Sequence, residues 1–353
     1  MYIRKKYRVR DMIRWTRREI RFFVVFALIV AILHDLLGLT WLQLPWTPIA
    51  MIGTAVAFLV GFQSNAAYGR IWEARKIWGG IVNDSRSLAI MVMDMITNEY
   101  ASEEMTEEEM YSHKKTIIYR HIAWMTALRY AMRQSKPWET NREIKENKEW
   151  QDRLYIPERK FELEDELKKV LPESELKNVM GRTNKPAAIM AFQSHHLRTL
   201  KERGIIWEFS FLELEGKLSA LIDHQGKSER IKNFPYPRQF ATIGYDFVNL
   251  FIMILPFGII PEFGKIGERF IADYPLIADS FIWLGIPFSV IVSWIFNTML
   301  RIGTTGENPF EGSPNDVPIS GISRGIEIDI REILGEEKEQ IPEPFPIELE
   351  AQM

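Results

Sequence analysis

Four stretches of this 353-residue chain carry almost no charge: Phe22 to Leu44, Pro48 to Tyr68, Phe240 to Ile260 and Ser280 to Leu300. At about 1.5 Å rise per residue, each is long enough as a helix to cross a hydrocarbon core roughly 30 Å thick. Buried helices of soluble proteins are usually shorter and amphipathic, whereas these are apolar on most faces, so the pattern predicts four transmembrane helices. The interruptions are few: His34, Asp35 and Gln43 in the first, Asp246 and Pro256 in the third, and Pro287 in the fourth. Thr47 followed by Pro48 reads as the N-cap and first helical residue of the second span.

Charge gives the spans a direction. The first 21 residues hold Arg4, Lys5, Lys6, Arg8, Arg10, Arg14, Arg17, Arg18 and Arg21 against Asp11 and Glu19, and basic residues also flank Arg70 and Arg238. Basic flanks stay cytosolic, which puts both termini in the cytosol of a multi-pass inner-membrane protein and the links near Trp46 and Lys265 outside. No small-x-small cleavage pattern follows the basic start, so the first span is expected to be retained. The chain then divides into a basic segment 1–21, spans one and two within 22–68, a cytosolic domain 69–238, spans three and four within 239–300, and a cytosolic tail 301–353.

Between the second and third spans the periodicity is helical. Ile71, Ala74, Trp78, Ile81 and Val82 make an apolar stripe that carries span two out of the membrane as one helix. Thr106 and Glu109 form a capping box ahead of a helix from Met110 to Met132, and Lys185 to Glu202 and Gly204 to Gln225 predict two more. Ser135 to Asn184 is charged and weakly patterned, and is expected to be mobile in part. No strand-type alternation persists, so the fold is all-α: four transmembrane helices plus a helical cytosolic domain.

Catalytic signatures are missing. The chain has no cysteine, which excludes disulfides and thiolate chemistry, and it has no phosphate-binding glycine loop, G-x-S-x-G or H-E-x-x-H. The expectation is no enzyme, no cofactor and no metal, and a net charge of -3 gives no reason to expect nucleic acid. His195 and His196 are adjacent, which on a helix points them about 100° apart and away from a shared ligand. Asp35 and Asp246 are costlier to place, at roughly 2.5 to 3.5 kcal/mol for a charge at a span centre. They are functional candidates unless they sit near an interface or pair within the bundle.

The second span holds two adjoining stripes. Gly53, Ala57 and Gly61 form a small-residue row of the kind that lets helices approach closely. Thr54, Phe58 and Phe62 form the other. On spacing alone the plainer reading of the second stripe is lipid contact or bundle packing, since aromatics are ordinary in spans; a hydrophobic constriction around a lumen is the alternative.

A longer pattern surrounds these stripes. The run Gly61 to Arg75, with Asn65, Arg70, Trp72, Glu73 and Arg75, continues through Trp78-Gly79 to Asn83, Asp84 and Arg86. In order follow Tyr119 to Trp124, Asn184 to Ala188, Gly226 with Glu229-Arg230 and Asn233, Pro235 to Gln239, then Asn308-Pro309-Phe310 and Asn315 to Pro318. Together they resemble the bestrophin family from about Trp46 to Ile330. The resemblance implies a homopentamer around one central pore passing small inorganic ions, with chloride first and sodium in some bacterial members. It maps a pore neck onto Thr54, Phe58 and Phe62 and a second aperture at the cytosolic exit onto Phe209. Where Thr54 stands the family usually has an apolar residue, so the outer ring should be wetter. Animal members bind calcium through an acidic run after Asn-Pro-Phe; Glu311 to Asp316 offers too few carboxylates in a row, so no calcium requirement is expected. A proton-coupled transporter using Asp35 and Asp246, and a membrane-anchored scaffold, are the competing functions.

Overall fold

The computed structural model describes residues 1–139, 141–269 and 274–353, and the described residues hold helices and no β-strand. The element that organises them is α3, Trp46–Met95, 50 residues long and therefore about 75 Å from end to end. As expected, span two and the stripe beyond it are one continuous helix. Its start differs from the sequence reading: Pro45 is the N-cap, the helix opens at Trp46, and Thr47 makes no cap bond.

After the short α1 (Val9–Trp15), the membrane half is a bundle of α2 (Arg17–Ala31), the first part of α3, α11 (Arg238–Glu268) and α12 (Pro275–Thr305). Three of these, α3, α11 and α12, are long and apolar enough to cross a membrane. The first predicted span ends earlier than Leu44. After its fifteen α-helical residues, α2 closes with a π turn over Ile32–Leu36, and Gly38 at φ +67° reverses the chain. His34 and Asp35 fall in that π turn, where helical pairing is weakest, and Leu37 to Leu44 lies outside the helix. A bundle core forms from Phe23, Val56, Val60, Val248, Phe251 and Leu255, continued by Ala27, Val30, Ala31, Ile260 and Ile282. Glycines sit where the backbones come nearest. A Cβ at Gly53 would stand 2.8 Å from the Phe251 ring and one at Gly285 2.8 Å from Ile260 Cα, so α3–α11 and α11–α12 contacts depend on the missing methyl.

Below the bundle, α3 runs on into a second core with α4 (Glu107–Arg133), α9 (Lys185–Glu202), α10 (Glu208–Asn233) and α13 (Ile319–Ile333). Trp78 and Trp124 are completely buried at its centre among Ile81, Leu88, Leu197 and Leu221. The capping box forms as the sequence predicts: Glu109 N–H donates to Thr106 Oγ1 at 3.2 Å and Thr106 N–H to Glu109 Oε2 at 2.9 Å. The helix from Lys185 to Glu202 has the expected bounds. The one predicted from Gly204 instead begins at Glu208 and runs on to Asn233, because Gly204 at φ +75° is a turn against Tyr100. α10 runs antiparallel to α3, with Arg230 bonded to Glu73 at 2.7 Å, Lys217 to Asp84 at 3.0 Å, and Ile206 bridged to Ile96.

The weakly patterned segment 135–184, whose residue 140 lies outside the described residues, contains four short helices, α5 (Lys145–Gln151), α6 (Pro157–Lys160), α7 (Leu163–Lys168) and α8 (Glu173–Met180). Leu167, Leu171, Leu176 and Val179 pack it on the cytosolic core, and a buried charge pins it as well. Glu158 binds the Arg129 guanidinium, lies 3.8 Å from Arg133 Nε, and accepts from Ser320 Oγ at 2.7 Å. Burial pushes its pKa up, but the two arginines hold it below the ordinary carboxylate range.

Candidate functional site

α3 buries one face and bares the other. Ile49, Gly53, Val56, Val60, Gln63 and Ala67 turn inward, and at helical spacing Met51, Thr54, Phe58, Phe62, Asn65, Trp72 and Asn83 share an exposed stripe. Phe58 is 68% and Phe62 71% exposed, which for an aromatic on an otherwise packed helix leaves a large apolar surface without a partner in the subunit. Thr54 is exposed too, and its hydroxyl donates to Ala50 O at 2.9 Å, so only its lone pairs are free. Below the aromatic pair the stripe becomes polar. Asn65 and Asn83 follow, Tyr68 stacks on Trp72 at 6.5 Å, and Lys76 brings the stripe a positive charge.

The small-residue row splits between two environments. Gly53 is buried against Phe251, as close packing requires, whereas Ala57 is exposed and a Cβ at Gly61 would meet nothing within 4 Å. Phe209 stands at the opposite end of the molecule, in the first turn of α10, 63% exposed and beside Trp207 at 4.7 Å. Because α10 is antiparallel to α3, Phe209 lies level with the last turns of α3, roughly 50 Å along the helix from Phe58.

The remaining motif residues hold this frame together. Arg70 donates from Nε to Glu307 O at 2.6 Å and from Nη2 to Ile231 O and Phe234 O at 3.0 and 2.9 Å. It thereby caps the carbonyl end of α10 and ties it to the chain leaving α12. Two turns up, Gln63 donates to Glu307 Oε1 at 3.1 Å through a gap that Gly244 leaves open. Asp84 accepts from Lys217 and lies 3.1 Å from His224 Nε2, and Arg86 grips Asp329 of α13 at 2.6 and 2.8 Å. Glu229 accepts from Gln225 at 2.8 Å and from Asn184 at 3.1 Å, while Gln225 accepts from Trp124 Nε1 at 2.9 Å. Asn308 donates to Glu311 at 2.9 Å, Pro309 O accepts from Val317 N–H at 3.1 Å, and Phe310 is buried against Trp78. Arg75 is exposed one flank away from the stripe.

The loop after Asn-Pro-Phe turns its carboxylates inward. Asp316 accepts from Gly312 and Ser313 N–H at 2.7 and 2.9 Å, and burial raises its pKa. Glu311 is pushed up to about 8 by burial first and by Asp316 and Glu139 after it. Asp35, at the end of α2, accepts from Trp283 Nε1 at 3.2 Å in an exposed position, and Asp246 is exposed on the outside of α11. His195 and His196 diverge as their spacing predicts: His195 is exposed, and His196 sits 3.0 Å from both Arg120 Nη1 and His113 Nδ1. Gln63, Lys76 and Glu158 were not singled out by the sequence. Only Lys76 carried a usable signal, its place on the helical continuation of the Phe58–Phe62 stripe.

Comparison with known proteins gives one consistent match. A family described as Bacterial/Fungal Bestrophin protein matches residues 10–272. A voltage-dependent anion channel-forming protein of Ralstonia nicotianae is 26% identical over 320 residues, covering 90% of this chain and 87% of its own. Voltage-dependent anion channel-forming protein YneE of Escherichia coli is 24% identical over 313 residues, covering 88% of this chain and 84% of its own. The crystal structure of a bacterial bestrophin homologue from Klebsiella pneumoniae superposes with a TM-score of 0.69 at 20% identity, over 90% of this chain and 98% of that one.

Proposed function

The chain belongs to the bacterial and fungal bestrophin proteins, and from that premise we propose that it assembles as a homo-oligomer, a pentamer, around a pore for small anions lined by the bare face of α3. The observation that carries this reading is the exposed pair Phe58 and Phe62 on a helix whose opposite face is packed. Rings of such side chains from several copies make a narrow apolar neck from which water tends to withdraw, with Thr54 as its wetter outer ring. Phe209 makes a second aperture at the far end of the cytosolic half. Ala57 and Gly61, open on the subunit surface, suit close approach of the neighbouring copy.

Two things favour anions. The relatives are named as anion channel-forming proteins, and in the turns nearest the neck the charge on the stripe is Lys76, the carboxylate of Asp94 coming five turns further down the same face. A cation path would ordinarily be ringed by carboxylates. The basic segment 1–21 supports a topology with both termini in the cytosol of a bacterial inner membrane, crossed four times with α2 as the shortest crossing. Conduction needs no calcium, since Glu311 and Asp316 are turned inward and bonded within their own loop.

Reconstitution in a planar bilayer under asymmetric sodium chloride tests the reading. Unitary current steps reversing near the chloride potential are expected, unchanged by chelating calcium. Reversal near the sodium potential would favour the cation channel, saturable proton-linked flux a transporter, and silence from an intact oligomer a scaffold.

A further inference from the structure

A second site lies on the flank of the bundle, away from the bare face of α3. A cleft of about 810 Å³ opens between the start of α2, the first half of α11 and the end of α12. Its floor is Arg301, 5% exposed. Nη1 of this guanidinium donates to Trp15 O at 2.8 Å and lies 3.1 Å from Glu19 Oε2, and the group covers the Trp15 ring at 4.7 Å. Nε and Nη2 are buried and bond to nothing. The amide nitrogen of Asn297, one turn earlier on the same helix, is buried and unbonded as well, and so is Glu19 Oε2, which takes part in the ion pair without accepting a hydrogen bond. Unmet donors on a buried guanidinium are expensive, and an unmet acceptor beside them adds to that cost. Three unmet donors and one unmet acceptor thus belong to side chains that line this one cleft.

The walls say what fills it. Phe22, Ile252, Met253 and Leu300 are apolar and belong to the helices of the membrane bundle, so the cleft opens where acyl chains lie. Arg18 and Glu143 stand at the rim, and Arg18 pairs with Glu146 at 3.1 Å. The lining therefore holds two arginines and two glutamates. A simple anion would satisfy the donors and leave a net negative charge; a group carrying both phosphate and ammonium satisfies donors and acceptor together.

We propose that this cleft binds the headgroup of an aminophospholipid, with its phosphate on Arg301 Nε and Nη2 and the Asn297 amide, its ammonium on Glu19, and its chains over Phe22, Ile252 and Met253. Basic pockets between spans at the cytosolic side commonly take lipid headgroups, and this one is selective through its carboxylate.

The test uses the full chain in mild detergent, stripped of lipid and titrated with phosphatidylethanolamine, phosphatidylglycerol or phosphatidylcholine of matched chains, with bound lipid counted by native mass spectrometry. Phosphatidylethanolamine should bind saturably and about tenfold more tightly than the other two. Arg301→Lys should cost about tenfold, and Glu19→Gln should erase the preference for the amine. Met253→Trp, which fills the mouth and leaves the ion pair alone, should abolish saturable binding while the thermal unfolding profile stays intact. Equal affinity for all three lipids, phosphatidylglycerol binding at least as tightly, retained binding in Met253→Trp, or displacement by millimolar inorganic phosphate would each overturn the proposal. None of these readouts involves ion conduction, so they stand or fall separately from the channel reading.

Discussion

Phe58 and Phe62 are the side chains on which conduction should turn. Truncating either to alanine widens and hydrates the neck, so conductance or open probability should rise several-fold in single-channel records. Thr54→Ala should do less, because its hydroxyl is already spent on Ala50 O and the ring it lines is wider in character than an aromatic one. Alanine at Ile295, exposed on α12, is the control and should leave currents alone. If the two phenylalanine variants reach the membrane as intact oligomers and conduct like the parent, the barrier lies at Phe209. On the same proposal Lys76 should set the sign of the permeant ion. Lys76→Glu should move the reversal potential away from chloride, and an unmoved potential would take the stripe below the neck out of the selectivity argument.

Among the elements, α3 and α4 were the most legible in the sequence and segment 135–184 the least. Ile71, Ala74, Trp78 and Ile81 recur at helical spacing, and Thr106 with Glu109 announces a helix start through two reciprocal hydrogen bonds, so local chemistry alone fixes both. Segment 135–184 is ordered by scattered apolar residues of its short helices, Leu167, Leu171, Leu176 and Val179, and by Glu158 meeting Arg129, Arg133 and Ser320 across long sequence separations, a pairing no periodicity reveals. The small-residue row was half legible for a related reason: spacing grouped Gly53 with Ala57 and Gly61, but only tertiary packing decides that Phe251 takes the first and leaves the others open. The first span misled because apolar character continues past Leu36 while the helix does not, the chain turning at Gly38. Two measurements belong at this scale. Thr106→Ala should lower stability by about 1 kcal/mol through loss of one cap. Arg70→Ala should cost more, about 2–4 kcal/mol, by freeing three carbonyls that α10 and the α12 exit share, and a smaller loss than for Thr106→Ala would show the staple to be incidental.

For the whole molecule, pH acts with opposite signs on two sets of buried groups. Burial raises Glu311 to about 8, so the folded state keeps a proton that the unfolded chain releases, and stability falls as pH climbs from the ordinary carboxylate value toward 8. Burial, with Arg120 next to it, lowers His196 to about 4, and burial lowers His121 to about 3, so stability also falls as pH drops below about 6.5. The two windows overlap, and because two histidines outweigh one carboxylate within the overlap, thermal unfolding in detergent should peak near pH 6.5. Glu311→Gln should flatten the alkaline limb and His196→Gln part of the acid limb; a profile that rises steadily in either direction would contradict the assignment.

The length of α3 carries a last consequence, a mechanical one. The helix has no proline after its first turn, and its cytosolic part is clamped at Trp78 in a dry core while Phe58 stands about 30 Å away along the axis. A rod gripped in one core and packed along a single face in another turns a small rotation at the first into a larger displacement at the second. A swing of about 5° at the clamp carries the far aromatic ring through roughly 2.5 Å, comparable to the radius of a dehydrated ion. Whatever loosens or tightens the grip of Arg70, Asp84 and Arg86 on α10 and α13 therefore acts on the neck as a hand acts on the short arm of a lever.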